Sequence, residues 1–337
     1  DFALGLKEQV MGDVLSVGMI GAGNIAQGHV RGIDANDNIR LAAVMDIDVE
    51  RAEALANDND ARAYTDLDAL LNDPDVDAVH VCTIHKAHVE QVVAAAQAGK
   101  HVLVEKPMAL SVAECDQMIA ACEAAGVVLM VGQVMRHYPV NLKVKEMIQA
   151  GAIGRVGHMI RRRYSNFDPP GRSWYLDLEL GGVCVLYCFG PHEYDILPWY
   201  IDSPVVKVYA QGSESTERYE GQKDSYSTIM THEDGTVSTL TQTVVTHTGA
   251  HDTYVMGSEG SIWMTNQKLM MNGEEVSVEE TAKVGMPNQI HEFAHCCLNG
   301  TAPDANGRSV RHTMAMIEAT KLSAERDTPV LLSEFDT

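Results

Sequence analysis

Between residues 14 and 132 the chain repeats one pattern, a short apolar run rich in Val and Ile followed by an amphipathic stretch of helical period. The apolar runs are "VLSVGMI" (14–20), "IRLAAVMD" (39–46), "AVHVCT" (78–83), "HVLVE" (101–105) and "VVLMVG" (127–132). Between them lie "VERAEALAND", "HVEQVVAAAQAG", which ends on the helix-stop residue Gly99, and "SVAECDQMIAACEAAG". Unbroken apolar runs suit strands buried on both faces, and strand–helix–strand repetition implies a parallel sheet covered on both sides. Crossovers between parallel strands are right-handed, so a doubly wound α/β domain is expected over 12–135.

The first strand runs directly into "GAGNIA" and a helix-like segment. A GxGxx(G/A) pattern gains meaning in this position, between a strand and a helix. Gly21 permits the tight turn, Gly23 lets backbone approach a pyrophosphate, and Ala26 allows close helix–strand packing. Phosphates would then face the unpaired N–H groups along the Ala22, Asn24 and Ile25 stretch at the helix start. Asp46 ends the second apolar run, where an acidic side chain binds a ribose 2′-hydroxyl. A carboxylate there repels a 2′-phosphate, and Arg51 is the nearest cation. The expected coenzyme is therefore NAD rather than NADP. Thr83 at the end of the 78–83 run, with Ile84 and His85 directly after it, should border it.

The 337-residue chain is 45% hydrophobic and 21% charged, as expected of a globular protein of two domains. Its net charge of −22 argues against nucleic acid or an anionic membrane as a partner. No run approaches the roughly 20 apolar residues that span a bilayer. The opening "DFALGLKEQVMGD" lacks a basic region followed by a sustained apolar core, so no signal peptide is expected. Seven cysteines, with no CxxC pair, read as reduced and mostly buried thiols of a cytoplasmic protein.

After residue 135 the pattern changes. A helical stretch, "PVNLKVKEMIQAG", leads into "RVGHMIRRRYS", and a helix-like block follows at 181–200. From about 204 to 280, alternating runs such as "STLTQTVVTH" and "SIWMT" are separated by turn signals such as "EDGT" and "SEGS". These read as antiparallel strands with one polar and one apolar face. Two helices near 288–299 and 309–326 precede "PVLL". A second, sheet-rich α+β domain over 136–337 is expected.

The nucleotide fingerprint, "EKP" after the 101–105 run, and Gly-Gly with a downstream "GPHEYD" together resemble the glucose–fructose oxidoreductase, inositol dehydrogenase and rhizopine-catabolism (Gfo/Idh/MocA) family. The likeness runs along nearly the whole chain and is most specific in "HVEQVVAAAQAGKHVLVEKPM". It implies an open, largely antiparallel mixed sheet in the second domain, used for homodimer or homotetramer contacts. It also implies oxidation or reduction at one carbon of a sugar, inositol or related polyol.

Glu105 and Lys106 stand at the carboxyl edge of the parallel sheet, where open α/β folds place their ligands. Lys106 can hydrogen-bond a substrate hydroxyl and stabilise the alkoxide character that develops as hydride leaves. The resemblance suggests that Glu105 offsets that charge or contacts the nicotinamide end. Pro107, open to a cis or a trans bond, fixes the backbone so that Lys106 points into the cleft. His192 matches the family histidine and can take the hydroxyl proton. Gly190 matches as well, but Cys188 stands where the family has an aspartate. Asp195 could replace that carboxylate only if its helix turns it inward.

His88 matches a family histidine and is a candidate for the cofactor side, though a helix cap would explain it equally. Ile84 and His85 replace a Pro-Asn pair that is frequent in the family. Arg136, Tyr164 and Trp174 are further candidates for the substrate side. Along "RRR" (161–163) side chains alternate, so not all three can face the cleft. Cys184, Cys188 and His192 share a helical spacing, but with no carboxylate or fourth ligand evident no metal is expected. The leading reading is an NAD-dependent dehydrogenase. The alternatives are an enzyme whose tightly held NAD serves transient oxidation, for glycosidic cleavage or sugar interconversion, and a non-catalytic nucleotide or sugar sensor.

Overall fold

The computed structural model describes residues 14–169, 173–279 and 283–336. The opening "DFALGLKEQVMGD" lies outside the described residues.

The first half forms the expected parallel sheet. Its strands are β1 (Leu15–Ile20), β2 (Ile39–Met45), β3 (Arg62–Tyr64), β4 (Ala78–Val81), β5 (His101–Val104) and β6 (Leu129–Val131), in the order β3-β2-β1-β4-β5-β6. Helices α1 (Asn24–Asp34), α2 (Val49–Asn57), α3 (Leu67–Leu71), α4 (His88–Gln97) and α5 (Val112–Ala125) make the crossovers. β1 and β4 are buried at every position, as central strands covered on both faces must be. β3 is a three-residue edge strand with two exposed positions. Too short and polar to register as an apolar run, it escaped the sequence reading.

The strand order reverses beside β1, which lies between β2 and β4. A crevice therefore opens at the carboxyl ends of these strands.

The second half contributes α6 (Pro139–Gln149), β7 (Val156–Asn166) and a π-helical turn at Val185–Phe189 that continues into α7 (Gly190–Ile201). Then come β8 (Val205–Ser213), β9 (Ser225–His232), β10 (Val237–Thr243), β11 (Val245–Gly257), β12 (Ser261–Thr265), β13 (Leu269–Met271) and β14 (Glu274–Glu275). Helices α8 (Met286–Asn299) and α9 (Gly307–Arg326) and strand β15 (Val330–Leu331) close the chain. The second sheet has the order β14-β13-β12-β11-β7-β10-β9-β8-β15, antiparallel except where β7 meets β10.

One face of this sheet is turned outward. Tyr209, Ile229, Thr239, Ile160, Tyr254 and Trp263 stand opposite one another on successive strands and form a single row across it. Ile160, Ile229 and Tyr254 in that row are exposed.

A border at residue 135 separates the two sheets but not the two cores. α8 returns to the first domain, where Ile290, Phe293 and Ala294 join the apolar cluster of β1, β2 and α1. The approach is close at Gly32, where a Cβ would lie 2.5 Å from the Ile290 Cδ1 atom. α9 docks on α5, and Asn306 at its start bridges to Met130 of β6.

Candidate active site

At the switch point the loop between β1 and α1 edges a cleft of about 710 Å³, lined by Gly21, Gly23, Asn24, Ile25, Asp46 and Thr83 among others. Gly21 adopts a φ of +94°, and a Cβ there would sit 2.7 Å from the Cys82 carbonyl oxygen. No other residue type fits that turn. Gly23 caps α1 without a side chain, the space a Cβ would take is open, and no acidic residue occupies the first helical turn. The N–H groups there are left for an anion, as a pyrophosphate requires.

Asp46 lines the same cleft and is anchored at its base. Its Oδ2 accepts the Ala22 N–H at 2.8 Å and its Oδ1 the Asp48 N–H at 2.9 Å. Arg51 pairs with Asp48 at 3.3 Å. Thr83 donates its hydroxyl to the Gln91 Oε1 at 2.6 Å.

Three candidates take other positions than their expected ones. Trp174, a candidate for the substrate side, lines the dinucleotide cleft, stacked on Tyr175 at 4.0 Å. His85 does not line the cleft. It lies behind Trp174, edge-on at 4.6 Å, with Nδ1 2.9 Å from the Gly181 carbonyl, and burial drives its pKa down to about 3. His88 is fully buried between two carbonyls, Nδ1 2.9 Å from that of Pro107 and Nε2 3.3 Å from that of Thr83. His88 thus braces the backbone of Thr83, which lines the cleft, and His85 that of Gly181.

Glu105 is also turned inward. Its Oε1 lies 2.9 Å from the His29 Nε2, and the His29 Nδ1 is 3.1 Å from the His80 Nδ1. Burial opposes a charge on His29, but the Cys82 sulfur and the Glu105 carboxylate outweigh it and raise its pKa to about 10. For Glu105, burial is likewise overcome, chiefly by the His29 hydrogen bond and charge, and its pKa falls to about 2. The two form a buried ion pair. The second oxygen of Glu105 accepts the Lys106 backbone N–H at 3.1 Å. The peptide between Lys106 and Pro107 is cis.

Lys106 enters a second cavity, of about 320 Å³, together with His192, Cys188, Phe189, Arg163 and Glu193. Its Nζ donates to the Cys188 carbonyl at 2.9 Å, so a residue after β5 meets the π-helical turn of the other domain. Single π turns inside helices frequently mark functional sites. His192 follows in the first turn of α7, its Nδ1 3.1 Å from the Gln133 Oε1. Gln133, fully buried after β6, also donates its amide to the Pro191 carbonyl at 3.2 Å. With Nδ1–H directed at Gln133, the His192 Nε2 is the ring's proton acceptor. Burial, and then the Lys106 charge, lower the His192 pKa to about 4, so the ring is neutral at pH 7. Cys188 is held as a thiol by a hydrogen bond with Cys184 and by burial. Among the described residues, no cluster of three metal-ligating side chains occurs.

Three remaining candidates lie off this cavity. Arg136 and Asp195 are buried together, Nε and Nη2 donating to the two carboxylate oxygens at 2.8 and 2.7 Å. Asp195 accepts a further bond from the Thr313 hydroxyl at 2.9 Å, so α7 turns it towards α9 and not into the cavity. Tyr164 shares its sheet face with Ile160 and Arg162, because β7 side chains alternate. The alternate positions Arg161 and Arg163 face α7 instead. Residues unanticipated from sequence are His29, Gln133, Glu193 and His251, while Arg163 is the member of the 161–163 run that reaches the cavity. Of these, only Gln133, a polar residue just past a parallel strand, carried a local signal.

Residues 15–133 match the oxidoreductase family with an NAD-binding Rossmann fold, and residues 141–263 match the GFO/IDH/MocA C-terminal domain. The chain is 30% identical over 249 residues to 1,5-anhydro-D-fructose reductase of Ensifer adhaerens, covering 73% of this chain and 74% of that one. It is 32% identical over 200 residues to myo-inositol 2-dehydrogenase of Thermotoga maritima, covering 59% of this chain and 58% of that relative. In fold it is similar to aldose-aldose oxidoreductase from Caulobacter crescentus, with a TM-score of 0.89 at 24% identity over 94% of this chain and 99% of that one. With a glycine cradle built for a dinucleotide and both halves matched in order, the chain belongs to the Gfo/Idh/MocA family of NAD-binding oxidoreductases.

Proposed function

We propose that this chain is a dehydrogenase that moves hydride between NAD and a hydroxyl-bearing carbon of a sugar or polyol, with Lys106 and His192 as its catalytic residues. The observation that carries this reading is their convergence on one cavity, from the segment after β5 of one domain and from α7 of the other. When bound, NAD⁺ supplies the hydride acceptor. Lys106 donates a hydrogen bond to the substrate oxygen and offsets the negative charge that grows there. The Nε2 of His192, neutral at physiological pH, takes the hydroxyl proton. Gln133 holds the tautomer in which Nε2 is free to do so. Relatives named for an anhydro-sugar and for myo-inositol support the substrate class.

The exposed row across the second sheet supports a homodimer formed face to face. A two-fold axis would set the same apolar row of each copy against the other.

The test is Lys106→Ala and His192→Ala, assayed for NADH production on sugars and polyols beside NAD titration by fluorescence. Loss of one charge-assisted donor should lower kcat by about 10²–10³, and loss of the base by about 10²–10⁴. NAD affinity should hold in both. A variant that keeps near-normal turnover removes its residue from the mechanism.

A further inference from the structure

The catalytic cavity is positively charged within a chain of net charge −22. Two cations line it, Lys106 and Arg163, against one carboxylate, Glu193. Lys106 makes its only described side-chain bond to a neutral partner, the Cys188 carbonyl. The carboxylate behind it, Glu105, is already matched by His29. Arg163 lies over the Phe189 ring, 4.3 Å from its centre, and bonds the Ser165 hydroxyl through Nη1. The nearest carboxylate to Arg163 is Glu193, at 3.8 Å. Glu193 is itself engaged, by the buried Arg161 at 2.5 Å and by His251 at 3.3 Å. Cys188 adds a neutral thiol to the wall. Two cations thus face a small cavity whose one lining carboxylate, Glu193, is shared with Arg161 and His251, which leaves an excess of positive charge, and burying charge that is incompletely matched is costly unless a ligand compensates it.

We infer that the substrate is a polyhydroxy carboxylate, a sugar acid, whose carboxylate is held by the Arg163 guanidinium while its reacting hydroxyl lies between Lys106 and His192. This rests on the reading of Lys106 and His192 given above. A planar guanidinium binds a carboxylate through two parallel bonds, and an aromatic face beneath it keeps the fork aligned. The volume of about 320 Å³ is at the low end for ligand sites, suited to one sugar ring or an open six-carbon chain. Oxidation balances without a further reagent. The C–H electron pair leaves as hydride to NAD⁺, the hydroxyl proton goes to His192, and the carboxylate is unchanged.

The test is calorimetric titration of the NADH-loaded chain with gluconate, galactonate, glucuronate and galacturonate, against glucitol, galactitol, glucose and galactose. At least one acid should bind tenfold or more tightly than its neutral counterpart. Arg163→Gln should weaken that acid about tenfold to a hundredfold, the effect of losing a bond to a charged group. Arg162→Gln, on the opposite sheet face, should leave acid binding unchanged. Neutral sugars bound as well as the acids, no acid bound, or a preference that survives in Arg163→Gln would each overturn the inference. Oxidation of neutral sugars alone would do so while leaving the dehydrogenase reading intact. Arg163-dependent binding of acids that are never oxidised would do the reverse.

Discussion

His192 is the side chain whose chemistry depends most on its surroundings. An ordinary histidine is half protonated near pH 6.5. Burial and the Lys106 ammonium depress this one to about 4. A base whose pKa is depressed is present above that value and is lost as pH falls through it. The kcat/KM profile of the free enzyme should therefore keep its acid limb near pH 4. In Lys106→Met the His192 titration, followed by NMR, should move upward, with burial still holding it below 6.5. No movement would mean that the two charges do not sense each other. Asp46 poses a separate question, because its carboxylate serves the glycine loop as well as the cleft. Asp46→Ala should weaken NAD binding and narrow the preference over NADP; equal affinity for both coenzymes in the unaltered protein would defeat the assignment. Local sequence revealed Gly21, Asp46 and Lys106 because each ends a strand or fills a turn. It did not say which arginine of 161–163 enters the cavity, nor that Arg163 meets Glu193, because that depends on how β7 and α7 face each other.

Helix α8 shows what segment-by-segment reading cannot supply. Its helical character was legible near 288–299, but the partner of its apolar face was not. That face meets α1, more than 250 residues away, across the glycine at position 32. Phe293, fully buried between the two domains' sequences yet within the first domain's core, is the measurable link. Phe293→Ala should cost about 3–5 kcal/mol in denaturant unfolding. It should also weaken hydrogen-exchange protection in α1 and β1, although the mutation lies near the end of the chain. Protection lost only in the second sheet would contradict this packing. The short β3–α3 segment was missed for a different reason, since three residues at a sheet edge carry too little periodicity to detect.

The parallel sheet and the antiparallel strands of the second domain were readable from the periods of the apolar residues, whereas the mixed character of the second sheet was implied by the family resemblance and the order of its nine strands was not legible. That order depends on long-range pairings such as β7 between β10 and β11. It brings Ile229, Ile160 and Tyr254 into one row, so the homodimer can be tested. Ile160→Lys with Ile229→Lys should convert a dimer to a monomer in analytical ultracentrifugation without unfolding it. An unaltered chain that sediments as a monomer at micromolar concentration would sink the proposal. The crossing of α8 into the first domain also bears on biosynthesis. Domains generally fold as units, the N-terminal one first, as the chain emerges from the ribosome. Here the nucleotide domain leaves the exit tunnel early with the α8-facing side of α1 bare, and its cover is translated only at residues 286–299. The half made first is finished last, and a nascent chain stalled before Met286 would present an apolar surface to chaperones in place of a completed nucleotide domain.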